Sequence, residues 1–117
     1  MDRVETEAIL NKHKGVVSHH EAEVAELRSD RELAVAYLKA AMESLDNPDE
    51  RAAGLVALRT VAEAYGGLGA VAIEAGINRE TLYRTLSAKG NPTLRTLLAV
   101  LKSVGMRLSV EPEPAHV

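Results

Sequence analysis

Residues 72–87, AIEAGINRETLYRTLS, gather Asn78, Arg79, Glu80, Thr81, Tyr83 and Arg84 into little more than one helix. Core packing needs none of these side chains. Two guanidinium forks, an amide, a carboxylate, a hydroxyl and a phenol suit hydrogen-bond recognition at a surface. They do not make a catalytic set. The chain contains no Cys, which removes thiol chemistry and a disulfide scaffold and fits a reducing compartment. Ser87, Ser103 and Ser109 have no base nearby in sequence, and there is no Gly-rich phosphate cradle. His13, His19 and His20 invite a metal reading, but adjacent helical residues point about 100° apart and cannot grip one ion as an i, i+4 pair does. They are expected to be solvated surface histidines. Neither an enzymatic activity nor a cofactor or metal is expected.

Such a face needs a scaffold. A helix crossing another closely wants a small residue at the crossing, a residue tolerant of positive φ at the corner, and aliphatic anchors on both sides. Ala72 and Gly76, with Val71, Ile77 and Leu82, meet those demands in order, giving a short helix over about 68–75 and a second over about 79–88. A helix over about 92–104 carries Leu94, Leu97, Leu98, Leu101 and Val104 at helical spacing. Upstream, periodicity predicts helices over about 30–45 (Leu33, Tyr37, Leu38, Ala41, Leu45) and 48–65 (Leu55, Leu58, Val61, Ala62, Tyr65). Ser18 with Glu21 and Ser29 with Glu32 fit the capping box. Asn47-Pro48 and Asn91-Pro92 each place a cap before a proline at the first helical position. Gly66-Gly67, Gly76, Gly90 and Gly105 are expected left-handed stops. After Gly105 the period becomes two, and Met106, Leu108 and Val110 predict a short strand.

A chain of 117 residues makes one domain, and with Tyr37, Tyr65 and Tyr83 as its only aromatics its core must be aliphatic. Residues 1–28 are expected to form a marginally ordered helical arm, with helices near 3–13 and 19–28 that need support from a partner or from the domain body. The domain itself spans 29–111, and 112–117 form a disordered tail. The charge is divided. Residues 1–50 hold six Lys/Arg against twelve Asp/Glu, residues 51–110 eight against three, and the tail adds Glu111 and Glu113. Such asymmetry suggests partners of opposite character, the plainer alternative being solvated faces with chance bias. The early acidic residues fit no signal peptide and the apolar runs are too short to span a bilayer, so a cytoplasmic location is expected.

The corner, the Gly90-Asn91-Pro92 helix start and the Leu-rich last helix carry a family likeness. Residues 48–111 resemble the lambda-repressor (Cro/CI-type) helix-turn-helix domains. More closely, AYLKAAMES at 36–44 and the run from Gly66 to Val110 resemble antitoxins of the addiction-module antidote family, partners of small RelE/ParE-like toxins. The resemblance covers about 30–111. It implies an all-α, five-helix DNA-binding domain with motif 68–88, preceded by an N-terminal helical extension and closed by the short C-terminal strand. The implied function is that of a dimeric repressor of its own operon that also neutralises a toxin.

In such domains the second helix of the motif lies in the major groove. Carried over, Asn78 caps that helix and reaches a phosphate, Arg79, Glu80 and Arg84 meet base edges, and Thr81 lies on the same short helix. Tyr83 touches a thymine methyl or a phosphate, and Lys89, Asn91 and Thr93 match backbone-contacting positions. Ala72, Gly76, Ile77 and Leu82 are the structural residues of the motif. Two positions depart from the pattern: Gly69 stands where a phosphate-gripping polar residue is frequent, and Thr85 where a larger aliphatic is common, with Leu86 as its substitute. Binding is therefore expected to be weak for a monomer and salt-sensitive. A dimer is expected, with the strand at 106–110 or the helix at 92–104 as its seam; alternatively, Met106, Leu108 and Val110 only cover the domain's own core. The acidic run Glu21, Glu23, Glu26, Asp30 and Glu32 is either a wet helix face or a dock for a basic toxin. Two other readings remain open: a phage-like transcriptional regulator without a toxin, and a helical protein-interaction module that does not touch DNA.

Overall fold

The computed structural model describes residues 18–114. They form six α-helices: α1 (His19–Ser29), α2 (Arg31–Ser44), α3 (Arg51–Ala64), α4 (Gly67–Ala75), α5 (Arg79–Thr85) and α6 (Leu94–Ser103). The helix expected near 3–13, with His13, lies outside the described residues.

Packing follows the apolar stripes. α2 lies along α3, and Gly54 of α3 sits so close that an added Cβ would stand 2.8 Å from the Ala41 carbonyl oxygen of α2. α1 covers the other flank of α3. It buries Val24 and Leu27, while Ala22 and Ala25 stay exposed. The two helix ends hold each other, since Tyr65 donates to the Leu27 carbonyl at 2.7 Å and Arg28 donates to the Ala64 carbonyl at 3.3 Å. After α3 the chain turns through 108° into α4. α6 returns antiparallel to α4, with Ser103 beside Gly66 and Arg95 beside Gly76. The core is aliphatic, with Leu27, Leu58, Val61, Leu82, Leu86, Val100 and Val104 fully buried. No single helix among the described residues is long and apolar enough to cross a membrane.

Several helix ends differ from the sequence expectation. Ser18 caps α1 by accepting from the Glu21 amide at 3.1 Å. Asp30, however, caps α2 in place of Ser29, accepting from the Leu33 amide at 3.0 Å. Ser29 is still helical, and its hydroxyl donates back to the Glu26 carbonyl. A cap requires extended backbone, which Asp30 has at φ −132°, ψ 96°. Pro48 does not open α3. Asn47 takes up its side chain in a local turn, accepting from the Asp49 amide at 2.9 Å, and the helix starts at Arg51. Likewise Thr93, not Asn91, caps α6, which begins at Leu94 rather than at Pro92.

Gly90 is no left-handed stop either, because its φ is not positive. It is glycine because a Cβ there would collide with the Thr85 carbonyl at the end of α5. Finally, residues 106–110 form no strand among the described residues. Strand character needs a ladder partner, and beyond the Met106 amide, which donates to the Leu101 carbonyl at 2.9 Å, this segment makes no backbone hydrogen bond to any described residue.

Candidate functional site

The α4–α5 corner is built by Gly76. It adopts φ 73°, ψ 26°, and the Ile77 amide then reaches back to the Ala72 carbonyl at 3.0 Å, the six-to-one bond of a helix terminated by a left-handed residue. Ala72 is buried under the corner, Ile77 is half-buried beside it, and the Arg95 guanidinium closes over Gly76. Two residues after Gly76, Asn78 caps α5 by accepting from the Thr81 amide at 2.7 Å.

α5 stands on two anchors. Leu82 and Leu86 are 0 % exposed, so the opposite side of the helix must face outward. Arg79, Glu80, Tyr83 and Arg84 are all exposed there, at helical spacings of one, four and five. Neither Arg79 nor Glu80 bonds a described side chain, and Arg84 makes a single long contact with Thr81 Oγ1 at 3.5 Å. The half-buried Thr85 leaves the anchoring to Leu86. Lys89 and Asn91 are exposed in the following loop. Thr93 is exposed too, but its hydroxyl accepts from the Thr96 amide at 3.2 Å and touches the Thr96 hydroxyl at 3.1 Å. Its first role is therefore to start α6. Gly69 is exposed and offers no side-chain polar group.

Behind α5 lies a network that sequence reasoning missed. The Arg59 guanidinium of α3 sits 4.1 Å from the Tyr83 ring centroid. It also donates to Ser87 Oγ at 2.9 Å, while Ser87 Oγ donates to the Tyr83 carbonyl at 2.6 Å. Arg59 Nε is buried without a hydrogen bond to any described residue, 4.0 Å from Glu63. Glu63 in turn holds His20 Nε2 of α1 at 2.8 Å. His20 is thus half-buried and paired rather than solvated, because α1 lies against α3; His19 is exposed as expected. A cleft of about 950 Å³ opens between α1, α3 and α5, lined by His20, Arg28, Arg59, Glu63, Arg79 and Tyr83 among others. The available sequence signal was slight. In α3 only Arg59 and Glu63 carry charge after Arg51, spaced i, i+4 in an otherwise apolar helix.

Two titratable groups are displaced. Burial, and then the Glu23 carboxylate, push the Tyr37 phenol above its ordinary range. Lys102 holds Glu74 below the usual carboxylate range through a 2.7 Å hydrogen bond across α4 and α6. No cluster of three potential metal ligands occurs among the described residues.

Fold and face together define a small all-helical protein that sets one polar helix outward on an aliphatic base. The family described as "Probable addiction module antidote protein" matches residues 18–112, and the chain belongs to that family. An uncharacterized protein of Haemophilus influenzae is 40 % identical over 57 residues, an alignment that spans 49 % of this chain and 58 % of that relative's length. No solved structure matches the chain significantly.

Proposed function

We propose that this chain is the antitoxin of a type II toxin–antitoxin module, reading operator DNA with α5 to repress its own operon and neutralising a RelE/ParE-like toxin by direct contact. Family membership supports the antidote role. The observation that carries the DNA reading is the outward set of Arg79, Glu80 and Arg84 above the fully buried Leu82 and Leu86. A short helix anchored on one side, with Arg79 and Glu80 bonded to no described side chain on the other, fits the major groove. Arg79 or Arg84 would donate two parallel bonds to guanine, and Glu80 would accept from a cytosine amino group. Asn78, Thr81, Tyr83, Lys89, Asn91 and Thr93 would position the backbone, Thr93 through its amide as α6 begins. Two copies would read two half-sites about one DNA turn apart, roughly 34 Å.

Mobility-shift titration on the promoter of its own operon tests this reading. Arg79→Ala and Arg84→Ala should each weaken binding by about tenfold or more, the loss of roughly 1–3 kcal/mol per bidentate contact. The circular dichroism of both variants should be unchanged. Parent-like affinity in both would refute the assignment of α5.

The toxin would meet the acidic front of the molecule, where Glu21, Glu26, Asp30, Glu32 and Glu43 are exposed along α1 and α2. A protein whose ligand is nucleic-acid phosphate is basic, and a row of carboxylates complements it.

A further inference from the structure

After α6 and the Gly105 turn, residues 106–114 adopt neither helix nor strand and pair with no strand among the described residues. Past Met106, no backbone amide of 107–111 donates to any described residue. Its apolar side chains alternate, and they are increasingly uncovered: Met106, Leu108 and Val110 are 36 %, 46 % and 94 % exposed. Beside the segment runs a groove of about 360 Å³ floored by Val35, Leu38 and Met42 of α2 and by Leu101 of α6. A free edge above an apolar floor is a template for another strand.

The sequence of the segment points to its occupant. Residues 107–111 read Arg-Leu-Ser-Val-Glu. Laid antiparallel on a second copy with Ser109 opposite Ser109, each Arg107 faces a Glu111 and each Leu108 faces a Val110. Every pair is then complementary, and the contact closes on itself about a two-fold axis. Shifting the axis to Leu108 sets Arg107 opposite Ser109 and Glu111 opposite Gly105, losing both ion pairs. An axis between residues would put apolar opposite polar side chains. Pro112 has no amide hydrogen and ends the pairing.

We propose that residues 107–111 pair antiparallel with the same residues of a second copy, centred on Ser109, forming a two-stranded seam beside the α2 grooves. Each copy's Val110 is then covered by the other's Leu108. A two-stranded ribbon alone is marginal in water, and packing on a helix supplies the missing support. The seam itself does not depend on the DNA reading; only its consequence, two α5 helices held at one spacing, rests on it.

The full chain contains no cysteine, so Ser109→Cys introduces a single thiol on the proposed axis. Directly opposed Cβ atoms lie about 4.5–5.5 Å apart, close to disulfide reach. Under mild oxidation this variant should form a covalent dimer on a non-reducing gel. Arg107→Cys and Glu111→Cys, each about 14 Å from its own counterpart (four residues along the strand), should not. In light scattering the parent should have twice the 12.6 kDa chain mass. Arg107→Glu should raise the dimer dissociation constant about tenfold, and Arg107→Glu with Glu111→Arg should restore it. A Ser109→Cys protein that stays monomeric overturns the proposal, as does cross-linking through Leu108→Cys instead. A dimer indifferent to Arg107→Glu overturns it by placing the contact elsewhere, with the exposed Leu94 and Leu98 of α6 the next surface. So does a segment that pairs only when a different protein is added. None of these readouts involves DNA, so a failed seam and a failed α5 assignment are distinguishable.

Discussion

Arg59 connects three parts of the molecule through one side chain. Its guanidinium lies under Tyr83, bonds Ser87 at the end of α5 and approaches Glu63, which holds His20 of α1. Replacing it by Met keeps the apolar stem and removes the charge. A cation–π contact of this kind contributes about 0.5–2 kcal/mol, so Arg59→Met should lower stability by that order in urea unfolding. If α5 reads DNA, the variant should also lose operator affinity without losing a base contact, because Tyr83 and the last turn of α5 are no longer fixed. Unchanged stability and unchanged affinity together would remove Arg59 from that role. A second residue-scale prediction concerns Tyr37, whose phenol is pushed up by burial and by Glu23. A raised folded value means that the folded protein holds the proton longer than the unfolded chain. The associated stability is intact below about pH 10 and is lost as pH rises through the folded value. Urea unfolding at pH 8 and pH 11 should therefore show a smaller alkaline loss in Tyr37→Phe than in the parent.

Among the elements, the helices from α2 to α6 were legible because aliphatic spacing announces a buried stripe, and α1 because Ser18 and Glu21 mark its start. Their ends were less so. Asn47, Asn91 and Ser29 have the right side chains for caps, yet Asp30 and Thr93 take the cap positions at α2 and α6. Side-chain type nominates a cap, but the extended backbone that a cap needs is set by how the flanking elements dock. The outward face of α5 was readable for the same reason as the core: once Leu82 and Leu86 are assigned inward, Arg79, Glu80, Tyr83 and Arg84 must point out. The Arg59–Tyr83 and Glu63–His20 pairs were not readable, since they join residues 24 and 43 positions apart whose approach only packing decides. Two substitutions test the element account. Thr93→Ala should cost about 1 kcal/mol as a lost helix cap, whereas Asn91→Ala should leave stability near the parent's. Gly76→Ala should cost about 1–2 kcal/mol for a left-handed alanine, with more if Arg95 cannot move off the corner. Equal effects of Thr93→Ala and Asn91→Ala in denaturant titration would reopen the start of α6.

At the scale of the whole molecule the charges divide along the fold. Residues 1–50 carry a net charge of −6 (six positive, twelve negative) and residues 51–110 a net of +5 (eight against three). Removing residues 1–28 would be a poor test of the acidic side, because it strips Val24 and Leu27 from the shared core. Reversing exposed charges is cleaner. Glu21 and Glu26 are exposed on α1, so Glu21→Lys with Glu26→Lys alters the field by four units while leaving Val24 and Leu27 in place. Exposed charges act mainly on association rate, and salt screens them with a Debye length near 8 Å at physiological ionic strength. The double variant should therefore bind a basic toxin about tenfold more slowly at low salt, with its rate converging on the parent's as salt rises. Operator binding should respond in the opposite sense or not at all, since removing negative charge cannot repel phosphate. Surface-plasmon kinetics at two ionic strengths measures both, and equal toxin on-rates for parent and variant at low salt would remove the acidic front from the encounter.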